Sequence, residues 1–412
     1  MNKKELTELK RRMKKGSCTI TKMCGCYVDS SKNKVTTFSE DFLVLEDDRE
    51  EEFHKYLDIC SKTLSGTMNN NLIELEFATD EEISGGMQSS LLALRECELQ
   101  NETFVDAFYD HVIDTYDEIG NYLILLFFDS YDIPMKTTDN LYTGESEEVY
   151  DYIVCSICPV NLSKPGLSFN EAVKRIAARN RDWVVGTPES GFLFPAFTDR
   201  STDIHHVLVY TKNAKDPHRE FWENGLGCPS KLTSTEKRLT FVDMMAKTLG
   251  PENEETADIV LDVQQNIDDY VKEEIATYGE ETSVILSKKD MNDILLDSGI
   301  SERKAEKISS GYEEYFAEEK PTADELVDAR ALKNNELRNE KNILSKQVVA
   351  LTTQLNEAGL LTADGSDVDI VLKVSDEKAS EISSTFVDGR RTLLIPLDES
   401  DTTTINGKSV KF

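Results

Sequence analysis

Cys155-Ser156-Ile157-Cys158 has the residue types and spacing of a redox or zinc motif. Such sites need both sulfurs on one side, an arrangement that a turn or a helix N-terminus provides. In this chain the pair lies inside an apolar run that ends at Pro159, and an odd spacing in a strand sends two thiols to opposite faces. Structural burial is the first expectation. The alternative is a zinc or thiol site that adds Cys24 and Cys26, with Cys18 just upstream, to Cys155 and Cys158. It requires the first hairpin to pack on the end of that strand.

The other reactive residue types form no catalytic pattern. His54, His111, His205, His206 and His218 lack the spacing of a metal-binding helix, and the adjacent His205 and His206 read as strand residues, one facing the core. Asp129 and Asp132, at a strand end, are the best placed acid pair. No phosphate loop, dinucleotide fingerprint or nucleophile elbow is present, so no cofactor is implied and an enzyme is unsupported.

Charge narrows the partners. The formal charge is -32, yet the segment from Met1 to Lys15 holds Lys3, Lys4, Lys10, Arg11, Arg12, Lys14 and Lys15 against Glu5 and Glu8. Phosphate binding draws on Lys and Arg that release counterions, so an acidic surface disfavours nucleic acid except at such a local patch. Leu6, Leu9 and Met13 recur at helical spacing in the same segment, which reads first as an ordinary amphipathic helix. A second cluster, Lys174, Arg175, Arg179 and Arg181, falls on an expected helix from Phe169 to Arg179 capped by Ser168, and reads as a solvated face.

These residues must be held by a sheet. Tyr122 to Phe128 is continuously apolar and too short to cross a bilayer, which predicts a strand covered on both sides. Before it, Asn101 to Glu118 carries Phe104, Val105, Phe108, Val112, Ile113 and Tyr116 at helical spacing, with Asn101 as N-cap. Beyond Asp129 the turn residues Asp132 and Pro134 and the polar stretch to Glu148 predict a loop. Tyr150 to Val160, Trp183 to Val185, Phe192 to Phe197 and Ile204 to Tyr210 then complete the sheet. Earlier, Thr19 to Val28 and Lys34 to Phe42 predict a hairpin, Glu50 to Leu64 a helix, Leu72 to Phe77 a strand and Gln88 to Leu99 a helix.

The region 231–330, acidic from 251 onward, reads as helical, with apolar faces at Phe241, Met244 and Met245, then Val260, Val263 and Ile267. After it, Leu337, Leu344 and Leu351 recur every seventh residue, with Val348 and Leu355 completing the seam and the polar Asn334 and Lys341 at its start. This helix either self-associates or packs within its own chain. Val368 to Val374, Thr392 to Leu397 and Thr404 to Phe412, with the turn pair Asn406-Gly407, predict a terminal β unit.

Gly25-Cys26-Tyr27-Val28, Lys62-Thr63-Leu64-Ser65-Gly66, Gly120 to Leu126, Cys155 to Val160, Lys164-Pro165-Gly166-Leu167 and Gly191 to Phe197 closely resemble a bacterial family catalogued only as a domain of unknown function, DUF4317. The resemblance covers nearly the whole chain. It implies a bacterial cytosolic protein and brings no activity, cofactor or catalytic residue. Against that pattern the segment from about Lys333 to Gly359 looks like an insertion. The element order is also similar to that of bacterial nucleoid-associated proteins, which implies DNA association through the N-terminal basic segment.

The expectation is therefore an α+β protein with a mixed β-sheet core and flanking helices in 1–230, an acidic helical domain in 231–330, a heptad helix in 331–360 and a C-terminal β unit in 361–412. No secretory signal or membrane span opens the chain and its eight cysteines show no disulfide framework, so the cytoplasm is the expected compartment. The expected role is non-catalytic, through a protein partner or self-association, with DNA binding and a zinc or thiol site as alternatives.

Overall fold

A computed structural model describes residues 1–78, 85–136, 142–172, 174–250, 254–279, 283–357, 372, 374–398, 403–405 and 408–410. The chain forms two compact units, Met1–Asp328 and Ala329–Phe412.

In the first unit every residue from Tyr122 to Phe128 is buried. They sit at the middle of β4 (Asn121–Lys136), between β1 (Lys22–Val28) and β5 (Tyr142–Leu162). The sheet continues through β9 (Ser190–Phe194) and β12 (His206–Thr211) to β3 (Leu72–Glu76), with β2 (Lys34–Asp41) at the opposite edge. All these pairings are antiparallel. Strand alternation divides β4 between two cores: Tyr122, Ile124, Leu126 and Phe128 face one, Leu123, Leu125 and Phe127 the other.

The first core is covered by the helices Met87–Glu96 and Glu102–Thr115 and by the buried Phe221 and Trp222. Asn101 starts the second of these helices, its side-chain oxygen accepting from the Thr103 N–H at 3.0 Å. The second core is covered by α1 (Lys3–Arg12) and the helix Glu50–Thr63. Helices Ser234–Leu249, Glu254–Tyr278, Lys288–Asp297 and Glu302–Tyr315 enclose a core of their own, with Phe241, Val263, Ile294 and Tyr312 at its centre.

Four expectations change. Asp132 and Pro134 lie within β4, which runs on into a long hairpin with β5, and Pro134 is accommodated where the register shifts. Leu167 to Ala178 forms a hairpin instead of a helix. Trp183–Val185 pairs with β5, as a sheet strand should, but its side chains are exposed. His205 sits in the turn before β12 rather than in the strand.

In the second unit the helix Ala329–Glu357 is followed by the hairpin of Ser383–Val387 with Arg390–Leu394 and by pairing of Thr403–Ile405 with Lys408–Val410. The strand expected over Val368 to Val374 falls mostly outside the described residues, as do Asn406 and Gly407.

Candidate functional site

A two-stranded arm leaves the sheet between β5 and β9. Val160 pairs with Val185 and Leu162 with Trp183 where β8 (Trp183–Val185) lies against β5. The Ser163 N–H donates to the Asp182 carbonyl at 2.8 Å and the Arg179 N–H to that of Gly166 at 2.9 Å. The strands β6 (Leu167–Asn170) and β7 (Arg175–Ala178) then pair Leu167 with Ala178 and Asn170 with Arg175. These pairs keep one register throughout, so the arm is a single ribbon. Asn170 opens its turn by accepting from the Ala172 N–H at 3.1 Å.

Strand alternation gives the ribbon two unlike faces. Leu167, Phe169 and Ile176 share one, Phe169 directly opposite Ile176, and are 76%, 60% and 62% exposed. The other face carries Arg175, Arg179, Arg181 and Lys164 in phase with Leu162 and Trp183, and Trp183 is 54% exposed. Large apolar side chains are thus held in water on a well-formed ribbon, an arrangement that marks an interaction site more often than a structural one.

The chain holds 78 acidic residues, and several cations elsewhere pair with them: Lys15 with Glu50, Lys22 with Asp41, Lys34 with Asp106 and Asp110. Among the described residues Lys164, Lys174, Arg175, Arg179 and Arg181 form no ion pair. Arg181 instead donates to the Ser163 carbonyl at 2.6 Å.

The N-terminal basic segment is partly committed to the fold. Leu6, Leu9 and Met13 are buried, as the helical spacing requires. Arg12 Nε donates to Asp129 Oδ2 at 3.1 Å, and its guanidinium stands 4.2 Å from the Tyr131 ring centroid. Lys3, Lys4, Arg11 and Lys14 are exposed and Lys10 is half-buried.

The four cysteines do not form one ligand set. Cys24, Cys26 and Cys155 face the first core and Cys158 the second, the odd spacing acting as expected for a strand. Burial pushes the Cys26 thiol up to about 11 and that of Cys158 up to about 12, and raises Cys24 and Cys155 as well. At neutral pH all four stay protonated, whereas nucleophilic attack requires the thiolate.

Asp129 and Asp132 do not form a catalytic pair. Asp129 is buried against Arg12, Thr19 and Tyr152, whereas Asp132 is exposed. Among the described residues one group brings metal-binding side chains together: Glu74, Asp203 and His206. It is satisfied internally, His206 Nδ1 lying 2.8 Å from Asp203 while Glu74 holds the Met1 ammonium. An open cleft of about 630 Å³ lies between the first hairpin and the helix Glu102–Thr115, lined by Cys24, Ser39, Glu102, Asp106 and Tyr109. Burial keeps its thiol, Cys24, protonated.

In the heptad seam Leu337, Leu344, Val348 and Leu351 are all exposed; the Leu355 side chain lies outside the described residues.

The sequence reading found the arm's cations but not its apolar face. The signal was present in Leu167, Phe169 and Ile176, whose spacing suits a two-residue period, but Ala172, Ala177 and Ala178 gave the stretch a helical composition.

A main antiparallel sheet covered by helices, with an exposed ribbon, defines an α+β protein. The chain matches the family model described as Domain of unknown function (DUF4317) over residues 1–408 and belongs to that family. No curated protein and no solved structure matches it.

Proposed function

We propose that this chain is a non-catalytic cytoplasmic protein that works by binding another macromolecule, and that the arm from Leu162 to Val185 is its contact element. The observation that carries the reading is the arm's combination of exposed Leu167, Phe169, Ile176 and Trp183 with basic side chains that form no ion pair among the described residues. Water-exposed apolar groups of this size bring no stability to the folded chain; covered by a partner, each contributes about 1.5–3 kcal/mol of burial before the costs of association.

Replacing Lys164–Arg181 by Asn-Gly tests this, because a two-residue turn then closes directly on the Ser163–Asp182 pair. The shortened chain should keep the melting temperature of the parent and lose the macromolecules recovered with it from cells. Recovery of the same partners by both chains would reject the reading, as would turnover of a small substrate that a single substitution abolishes.

Self-association through the heptad helix is a second reading, supported by the exposure of Leu337, Leu344, Val348 and Leu351 along one seam. An isolated helix in water gains little from propensity alone, so a helix exposed on this seam is stabilised by a partner helix.

A further inference from the structure

We infer that the cationic face of the arm binds single-stranded nucleic acid, its arginines on the phosphates and Trp183 stacked on a base. The inference rests on the arm being the contact element and adds the class of partner.

The first argument is electrostatic. The chain's formal charge of -32 opposes any polyanion, but the opposition is local. From the Val160–Val185 pair to the Asn170–Arg175 pair the ribbon rises ten residue steps, roughly 33 Å at 3.3 Å per residue. The Debye length at physiological salt is about 8 Å, so the outer arginines stand several screening lengths from the base of the arm. Their charge is also unspent. Lys164, Arg175, Arg179 and Arg181 have no ion pair among the described residues, in a chain where acidic groups greatly outnumber basic ones. Cations left unneutralised amid such an acid excess are available to an anion from outside.

The second argument concerns which side chains share a face. Trp183 lies in phase with Arg181, Arg179 and Arg175 on the ribbon. Arginine beside an exposed aromatic ring is the pairing that non-specific single-strand sites use, charge tracking the backbone and the ring accepting a base. An anionic membrane would take up the arm's apolar face of Leu167, Phe169 and Ile176, whereas the exposed Trp183 ring stands on the face of the arginines. Duplex DNA offers no unstacked base to Trp183.

Trp183 provides its own readout. The chain has two tryptophans, and the other, Trp222, is fully buried. Titrating the full-length protein with oligo-dT and oligo-rU of about 20 nucleotides, longer than the ~4–16 nucleotides that single-strand modules occupy, should quench the exposed indole. With about four phosphate contacts the affinity should fall roughly 50-fold between 50 and 200 mM salt. Trp183→Ala should weaken binding roughly 5- to 150-fold, measured by anisotropy of a labelled strand. Joint replacement of Arg175, Arg179 and Arg181 by Gln should abolish both the binding and its salt dependence, while Phe169→Ser with Ile176→Ser on the other face should leave it within about twofold. All these positions are solvent-exposed, so the variants should melt with the parent.

Absence of quenching and of binding at low salt would overturn the inference. So would equal affinity for a duplex with no dependence on Trp183, or binding to phosphatidylserine vesicles in place of the strands. If the strands fail while the chain lacking the arm still loses its cellular partners, this inference falls and the arm remains the contact element. If removing the arm changes neither, both fall.

Discussion

Arg12 and Asp129 are separated by 117 positions in the chain and meet at 3.1 Å, Nε to Oδ2. The contact fastens the N-terminal helix to the middle of the central strand. Tyr152 donates to the same carboxylate at 2.5 Å and the Thr19 hydroxyl at 3.1 Å, while the guanidinium also donates to the Ser130 carbonyl at 2.8 Å. Asp129 is almost wholly buried, so these donors replace the water it has lost.

Arg12→Ala should therefore destabilise the chain by about 3 kcal/mol, because it leaves a buried carboxylate with its principal cation gone. Urea unfolding measures this. Replacement by Ala at the exposed Arg11 should change the midpoint by less than about 0.5 kcal/mol. Equal effects at the two positions would show that the buried contact is not what holds the helix.

Gly191→Ala should be among the most damaging small substitutions. A Cβ at Gly191 would lie 2.3 Å from the Cys155 carbonyl oxygen and 2.6 Å from Thr63 Cγ2. The carbonyl belongs to a paired central strand and cannot move away, so a cost of about 3 kcal/mol is expected. Thr63→Ser removes the methyl while keeping the hydroxyl that contacts Ser156 at 2.6 Å, and should recover part of the loss. A double variant no more stable than Gly191→Ala alone would place the whole conflict on the carbonyl.

The buried thiols predict loss of stability in alkali. Unfolded cysteine ionises near pH 8.5, whereas burial holds Cys26 at about 11 and Cys158 at about 12. The fold keeps these groups protonated. Their contribution is complete below about pH 8.5 and is lost as pH rises towards 11–12, because the unfolded chain then binds fewer protons than the folded one. Denaturant midpoints from pH 8 to 10 should fall, and less steeply when Cys26 and Cys158 are replaced by Ala, whatever each substitution costs at pH 7. A thiol reagent at pH 8 should label the half-buried Cys97 well before Cys26, Cys155 or Cys158, whereas burial raises the Cys18 thiol to about 11 and slows it as well.

The heptad seam predicts a concentration-dependent dimer. In sedimentation the full chain should pass from monomer to dimer with rising concentration, and Leu344→Lys with Leu351→Lys should leave it monomeric. Dimers that persist in this variant would locate association elsewhere.

Much of the sheet was legible because its signals are local. Tyr122 to Phe128 has no polar residue to place on a wet face, and Asn101 with its apolar stripe marks a helix start whatever follows. The opposite placement of Cys155 and Cys158 follows from an odd spacing in a strand. The arm was illegible for a matching reason. Its alanines and charged residues suit a helix, and what makes it a ribbon is the register handed on from Val160 and Val185, which the sheet alone fixes.

The order of apolar and polar side chains therefore determined which segments became buried strands and which became covering helices, since those periodicities act over a few residues. Partners distant in sequence were decided by the tertiary fold: Arg12 at Asp129, Gly191 beneath Thr63, and Trp183 in line with three arginines on an exposed ribbon. Each depends on strand register, and register is set by how whole faces pack together, a property that no short stretch of sequence contains.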